Sequence, residues 1–245
     1  MTRTCPLNNR NVDRETRNAH RFGSDRWAFK RLAESRPRNY IWTASMARTI
    51  QLSVFCGVTV DGFLARPDHR VDFLDTPDQE PHGYDEFYDS VDVVVIGRNT
   101  YNFVLSYGSW VYGKKPVVVL SSRPIDFSWI KAGVVEQMAG EPADIVAQLE
   151  AGGYRHAYID GGVTIQRFLA AGLIDRMIIS RVPVLIGNGM PLFGPVPHDI
   201  PLHHVGSRCY RGGLVQDEYK LAGPSPAAPA RKRGSSTQTQ KKKTK

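Results

Sequence analysis

The stretch YIDGGVTIQRFL, residues 158–169, joins an apolar strand directly to a helix through two glycines. Apolar residues recur near the helical period of 3.6 after the glycines, at Val163, Ile165, Phe168 and Leu169. Paired glycines at such a joint either save space in a tight turn or let a ligand approach the backbone. Since free amide N–H groups at a helix N-terminus favour anions, the pair at 161–162 is a candidate phosphate site.

Strands and helices alternate on both sides of this joint. The pattern predicts strands over 50–60, 92–97, 116–121, 133–137, 155–160, 176–185, 202–209 and 213–220, and helices over 84–90, 99–106, 141–152 and 162–172. The runs DVVVIG and PVVVLS are apolar without alternation, which is typical of strands covered on both faces. No helix separates the last two strands, so we expect them to pair antiparallel. The predicted fold is a one-domain α/β fold with a mixed, mainly parallel sheet, flanking helices and an antiparallel C-terminal edge.

The net charge of +8 on 245 residues is concentrated at the two ends of the chain. Residues 1–48 carry +7 and residues 222–245 carry another +7, which leaves −6 for residues 49–221. We therefore predict a domain over 49–221 between two disordered basic extensions. These tails would hold nucleic acid only loosely, through counterion release. Met46 is an alternative translation start that the sequence leaves open.

Membrane and metal sites are not expected. No apolar run approaches the roughly 20 residues that span a bilayer, and the first 20 residues have no apolar core typical of a secretory signal. We therefore expect a cytoplasmic protein. The three cysteines show no paired spacing, and His203-His204 has no acidic or cysteine neighbour, so no metal site is predicted.

Three predicted strand ends carry residues suited to phosphate binding. They are the glycine pair at 161–162, the segment GRNTY at 97–101 and the segment SSRP at 121–124. Ligands of open α/β sheets bind at the carboxyl ends of the strands, and arginine recognises phosphate with two parallel hydrogen bonds. Singly, each has a structural alternative: a helix cap at 99–100, a turn at 121–122, a tight joint at 161–162. Together they indicate a dinucleotide with an additional 2′-phosphate, although the glycine fingerprint of the Rossmann fold is absent.

The order of these motifs resembles a known family over residues 50–220. The similar segments are VTVDGFLA, VVVIGRNTY, VVVLSSRP, IDGGVTIQRFLAAGLIDRMIISRVPVLIGNG and PLF. The chain resembles the dihydrofolate reductase-like superfamily, in particular the C-terminal reductase domain of the riboflavin-biosynthesis deaminase/reductase. That resemblance implies NADPH as the cofactor and a homodimer as the assembly.

The resemblance also implies roles for thirteen cofactor-binding residues. The phosphates and the adenosine end of NADPH would meet Gly97, Arg98 and Thr100. The 2′-phosphate would meet Ser121, Ser122 and Arg123. The pyrophosphate would lie on Gly161, Gly162, Val163 and Thr164, and the nicotinamide on Cys56, Gly57 and Leu64.

The substrate end is less defined. Dihydrofolate reductases carry a carboxylate on the first helix, and here Glu80, Asp85 and Glu86 are candidates without a clear choice, so the catalytic residue stays unknown. Candidate pocket residues are Asp61, which is also a plausible turn residue, Asp160, which stands where the family often has glycine, and Ser180.

The resemblance implies an NADPH-dependent reductase that transfers hydride to a pterin- or aminopyrimidine-like heterocycle. The leading hypothesis is the 5-amino-6-(5-phosphoribosylamino)uracil reductase of riboflavin biosynthesis. The alternatives are a dihydrofolate reductase-type or other small-molecule reductase, and a non-catalytic nucleotide-binding module whose tails contact nucleic acid.

Overall fold

The computed structural model describes residues 48–75, 80–131 and 133–221. The predicted extensions lie outside these ranges, apart from Arg48, so the predicted domain bounds stay a prediction. Arg48 pairs with the Asp175 carboxylate and donates to the Leu173 carbonyl, which fastens the start of the described chain to the domain. In the described ranges, no helix is long and apolar enough to cross a membrane.

The described chain alternates strands and helices as the hydrophobic pattern predicts. The strands are β1 (Gln51–Thr59), β2 (Phe63–Ala65), β3 (Val93–Gly97), β4 (Val117–Leu120), β5 (Val135–Met138), β6 (His156–Asp160), β7 (Arg176–Val182), β8 (Met190–Pro191), β9 (Leu202–Cys209) and β10 (Val215–Leu221). The helices are α1 (Tyr84–Ser90), α2 (Arg98–Ser106), α3 (Pro142–Ala151) and α4 (Gly162–Ala170), and a 3₁₀ turn covers Asp72–Leu74.

Eight of these strands form one mixed sheet in the order β5-β4-β3-β6-β1-β7-β10-β9. Strands β1 and β3 to β7 are mutually parallel, whereas β10 runs antiparallel to both β7 and β9. This confirms the predicted mainly parallel sheet with an antiparallel C-terminal edge. The pattern did not predict the small antiparallel sheet of β2 and β8, because strands of three and two residues are too short to show a period.

Helices cover both faces of the central strands, which explains why those strands are apolar without alternation. In β3, Val93 and Val95 face the core under α3 and α4, whereas Val94 and Ile96 face the core under α1 and α2. All four side chains are fully buried. A strand buried on both faces has no solvent side on which polar residues would alternate.

The strand register brings the candidate motifs to one edge of the sheet. The parallel strands β1, β3, β6 and β7 end at the same edge, where Ile96 pairs with Asp160 and Gly57 pairs with Ser180. Gly97 follows Ile96 and Gly161 follows Asp160, so the two glycine segments lie side by side. The fold therefore places the predicted phosphate motifs next to the strand that carries Cys56 and Gly57.

Candidate functional site

A cavity of about 690 Å³ opens at the carboxyl ends of the parallel strands. Its volume lies within the usual range of about 300–1,000 Å³ for small-molecule sites. One end is lined by the segments 97–100 and 161–164, and the other end by side chains of β1, β7 and the start of α1. The cavity thus connects the predicted nucleotide end with the predicted substrate end.

The nucleotide end contains a helix N-terminus without a side-chain cap. Gly161 is the residue before α4 and has no side chain with which to cap it, so within the described part of the chain the first turn carries no side-chain cap hydrogen bond. The first three helical residues, Gly162, Val163 and Thr164, line the cavity. Since the amide N–H groups of a first turn have no partner within the helix, they are available to an anion in the cavity.

The two glycines of this joint have different surroundings. Gly161 has a φ of +89°, and a Cβ at this position would overlap the Thr100 hydroxyl. Gly162 has ordinary helical backbone, and its Cβ would lie 3.2 Å from Leu64 Cδ1. Leu64 itself lines the cavity, so a side chain on Gly162 would enter the space above the helix N-terminus.

A second threonine–glycine contact lies at the end of the neighbouring strand β3. A Cβ on Gly97 would lie 2.9 Å from Thr164 Oγ1, just as Gly161 lies against Thr100. The glycine at the end of each strand therefore contacts the threonine that follows the other strand: Gly97 contacts Thr164, and Gly161 contacts Thr100. Two hydroxyls therefore lie against backbone without side chains beside the first turn of α4, an arrangement that fits the phosphates of a nucleotide.

Arg98 connects this surface to the end of β4. Its Nε donates to Ser121 Oγ at 2.8 Å, and its Nη2 donates to the carbonyls of Arg123 and Pro124, the latter at 2.9 Å. Ser121 accepts a further hydrogen bond from the Arg123 amide at 3.1 Å. The arginine at 98 is therefore held in a fixed orientation while it lines the cavity.

Most of the predicted cofactor residues meet in this cavity, although their roles stay predictions. Those that line it are Cys56, Gly57, Leu64, Gly97, Arg98, Thr100, Gly161, Gly162, Val163 and Thr164. The segment 121–123 lies outside the lining, with Ser122 and Arg123 exposed, and touches the site through Arg98.

Asp160 is the acidic residue of the cavity lining. Burial raises the pKa of its carboxyl above the ordinary value, against the opposing hydrogen bond that its Oδ1 accepts from the Gly161 amide at 2.7 Å. Burial, together with the Asp160 charge, also raises the pKa of the Cys56 thiol and of the Tyr84 hydroxyl. The carboxyl of Asp160 therefore keeps a proton at higher pH than an exposed aspartate, and these neighbours remain neutral.

Aromatic rings form the wall of the substrate end. Phe55 and Tyr84 meet edge to face with 5.4 Å between ring centroids, and Tyr158 donates a 2.8 Å hydrogen bond to the Phe55 carbonyl. The buried Ser180 hydroxyl, which also lines the cavity, accepts a 3.0 Å hydrogen bond from Gln216 and keeps its own proton to donate. A flat ring with polar edges would find an apolar wall and a hydroxyl here.

Asp61 and the carboxylates before and in α1 do not reach the cavity. Asp61 Oδ2 accepts hydrogen bonds from the amides of Ile186 and Gly187, at 3.1 and 2.7 Å, which fits its turn role; it lies outside the cavity lining, and its role as a pocket residue stays a prediction. Glu80 accepts a hydrogen bond from the Arg211 amide. Asp85 and Glu86 are exposed on the first turn of α1. The residue of α1 that lines the cavity is Tyr84.

Several lining residues carried no signal in the sequence, among them His69, Leu74, His82, Tyr84 and Tyr158. The first two belong to the loop 66–74, whose path over β1 depends on tertiary contacts. Leu74 packs on Gly57, where an added Cβ would lie 2.5 Å from Leu74 Cδ2. No group of three or more His, Cys, Asp or Glu suited to a metal ion occurs in 48–75, 80–131 or 133–221.

Comparison with known proteins finds similar sequences and structures. The family model described as RibD C-terminal domain matches residues 50–215. The uncharacterized protein YwjB of Bacillus subtilis (strain 168) is 29% identical over 172 residues, covering 69% of this chain and 97% of that protein.

Solved structures are also similar, among them two with TM-scores above 0.5. A putative riboflavin biosynthesis protein from Shewanella sp. PV-4 is 36% identical with a TM-score of 0.66, over 71% of this chain and 99% of that one. The Thermotoga maritima diaminohydroxyphosphoribosylaminopyrimidine deaminase/5-amino-6-(5-phosphoribosylamino)uracil reductase is 14% identical with a TM-score of 0.57, over 71% of this chain and 57% of that one. The second likeness shows the fold alone. The matches confirm the predicted resemblance and the dihydrofolate reductase-like fold.

Proposed function

The chain belongs to the RibD C-terminal domain family, and on that premise we propose that it is an NADPH-dependent reductase of a small heterocycle. The substrate class is an aminopyrimidine or a pterin, with the 5-amino-6-(5-phosphoribosylamino)uracil type first. The observation that carries the proposal is the uncapped N-terminus of α4, which opens with its glycine pair into a cavity that also contains Asp160.

The residues at the nucleotide end fit a phosphorylated cofactor. The amides of the segment 162–164 would hold the pyrophosphate, as helix N-termini hold anions. Arg98 would meet the 2′-phosphate beside Ser121, because a guanidinium binds phosphate more strongly than a neutral donor does. NADPH, when bound, supplies the hydride, and the protein supplies binding, orientation and exclusion of water.

Reduction of a C=N or C=O bond also requires a proton at the heteroatom. Asp160 supports this role because it lines the cavity and burial raises its pKa, so that it holds a proton which an exposed aspartate would release. The Ser180 hydroxyl would orient the substrate by a hydrogen bond, while the wall of Phe55 and Tyr84 would pack against its ring and exclude water.

The first test is a titration of the protein with NADPH and, separately, with NADH, followed by energy transfer from its tryptophans. Tight NADPH binding with much weaker NADH binding is the expected result. Steady NADPH oxidation with aminopyrimidines or pterins would then define the activity. Binding of neither cofactor would contradict the proposal and leave the glycine pair a structural turn.

A homodimer is part of the proposal and is checked by light scattering of the purified protein.

A further inference from the structure

We propose that His69 is a specificity-determining residue that contacts a phosphate group of the substrate at the rim of the cavity. This inference rests on the proposed function, since it concerns the substrate end of the same site. It starts from the distribution of charge in the lining. The lining side chains that can carry positive charge are His69, His82, Arg98 and Arg167.

The two arginines belong to the nucleotide end. Arg98 is bound to the end of β4, as described above. Arg167 lies one turn beyond Thr164 in α4, where its Nη2 donates to the Gly140 carbonyl at 3.0 Å and lies 3.7 Å from Glu141 Oε2. With both arginines at the nucleotide end, the two histidines are the lining side chains left to meet a substrate phosphate with positive charge.

Of the two histidines, His69 is the exposed one at the rim. The ring of His82 packs edge to face against Tyr210, with 4.6 Å between centroids, and is partly buried. His69 lines the cavity while its side chain remains exposed. A phosphate held at that position would keep contact with solvent, which lowers the cost of binding a doubly charged group.

In the loop 66–74, every charged side chain except that of His69 is paired with another one. Arg66 makes two hydrogen bonds to Asp72, at 2.7 and 3.0 Å, and Arg70 makes one to Asp68, at 2.7 Å. These ion pairs employ the four other charged side chains of the loop. Within the described part of the chain, His69 has no side-chain hydrogen bond or ion pair, so its imidazole is available to a ligand.

The backbone of His69 is also unusual. Its φ is +69°, the left-handed conformation, and it is the one non-glycine residue with a positive φ among residues 48–75, 80–131 and 133–221. Hydrogen bonds from the amides of Arg66 and His69, to the carbonyls of Arg70 and Arg66, hold this turn closed. Side chains kept in this conformation are concentrated at functional sites, where the surrounding structure imposes it.

The test compares phosphorylated and dephosphorylated ligands on His69→Gly and His69→Gln, with His198→Gly as a control for a loop histidine outside the cavity lining. Calorimetry with uridine 5′-monophosphate and with uridine, in the presence of NADP⁺, measures the phosphate preference without turnover. We expect the monophosphate to bind the unmodified chain at least tenfold more tightly, and both His69 variants to lose most of that preference. His198→Gly should retain it.

Turnover provides the second readout. The ratio of kcat/KM for 5-amino-6-(5-phosphoribosylamino)uracil to that for its riboside should fall about tenfold in both His69 variants, with unchanged NADPH affinity. Equal binding of the two uridine ligands by the unmodified chain, or an undiminished preference in His69→Gly, would overturn the inference. Absence of turnover with normal uridine results would contradict the proposed reaction and leave the phosphate contact standing. Because glycine adopts this φ without steric strain, a loss of phosphate preference in His69→Gly would not be due to a strained backbone.

Discussion

Gly162→Ala separates the cofactor role of the glycine pair from a structural role. The added Cβ would lie 3.2 Å from Leu64 Cδ1 and 3.6 Å from the Pro191 carbonyl oxygen. Only the flexible end of Leu64 needs to move, by a few tenths of an ångström. Alanine is also favoured over glycine in a helix, by up to about 1 kcal/mol. We therefore expect the free energy of unfolding to change by less than about 1 kcal/mol.

The same methyl group should weaken NADPH binding strongly. It would stand between the cavity and the free amides of the first turn of α4, so that the pyrophosphate could no longer approach them. A hydrogen bond to a charged group contributes about 1.5–3 kcal/mol. Loss of one such bond corresponds to a Kd raised about 10-fold to 100-fold. Fluorescence titration measures the Kd, and urea unfolding measures the stability.

Gly152→Ala is the matched control. Gly152 follows α3 with an ordinary φ of −73°, and its Cβ would lie 3.4 Å from the Leu149 carbonyl oxygen, away from the cavity. It should leave the NADPH Kd unchanged. The reasoning would be refuted by a Kd of Gly162→Ala within twofold of the unmodified chain. A loss of binding that merely follows a loss of folding would refute it as well.

Three other perturbations test the rest of the site. Arg98→Gln should weaken NADPH about 10-fold to 100-fold and NADH far less, since only NADPH carries the 2′-phosphate; equal weakening in titrations would contradict the assignment. Asp160→Asn should slow NADPH oxidation roughly 10²-fold or more. Folding raises the pKa of the Asp160 carboxyl above its ordinary value of 3.8, so the ionised carboxyl destabilises the fold as pH rises past 3.8. Asp160→Asn should therefore have a higher melting temperature than the unmodified chain at pH 7 and lose that advantage near pH 4. An unchanged difference in melting temperature across this pH range would argue against a desolvated carboxyl. Gly161→Ala should cost about 1–3 kcal/mol in urea unfolding, because φ is +89° and the methyl meets Thr100, and Thr100→Ala should recover part of that loss; full additivity would exclude the contact.

The sequence predicted the main elements because the central strands are short, continuous apolar runs between polar or glycine-containing joints. The predicted strand 92–97 is observed as Val93–Gly97, and the predicted helix 162–172 as Gly162–Ala170. The pattern did not predict strands β2 and β8 because their pairing depends on the approach of two loops. A local period cannot show such a contact.

The residues at the nucleotide end of the cavity could be predicted from the sequence, whereas those at the substrate end could not. Glycine and arginine at strand ends show their chemistry locally, and the parallel register then places them together. Asp160 was visible as an acid beside the glycines, but its raised pKa depends on burial among side chains from other strands. Tyr84 and His69 come from α1 and from the loop 66–74, whose positions over the sheet are set by packing and ion pairs.

The two glycines of the joint therefore serve two different requirements. Gly161 is demanded by the fold: its φ of +89° and its contact with Thr100 exclude a side chain whether or not a ligand is present. Gly162 is not demanded by the fold, since its backbone is helical and the space beside it is bounded by the movable end of Leu64. A glycine that weakens its helix without a steric reason indicates that something else must approach the backbone there. The open first turn of α4 makes an anionic group the natural occupant, and the different responses of Gly161→Ala and Gly162→Ala would show this division directly.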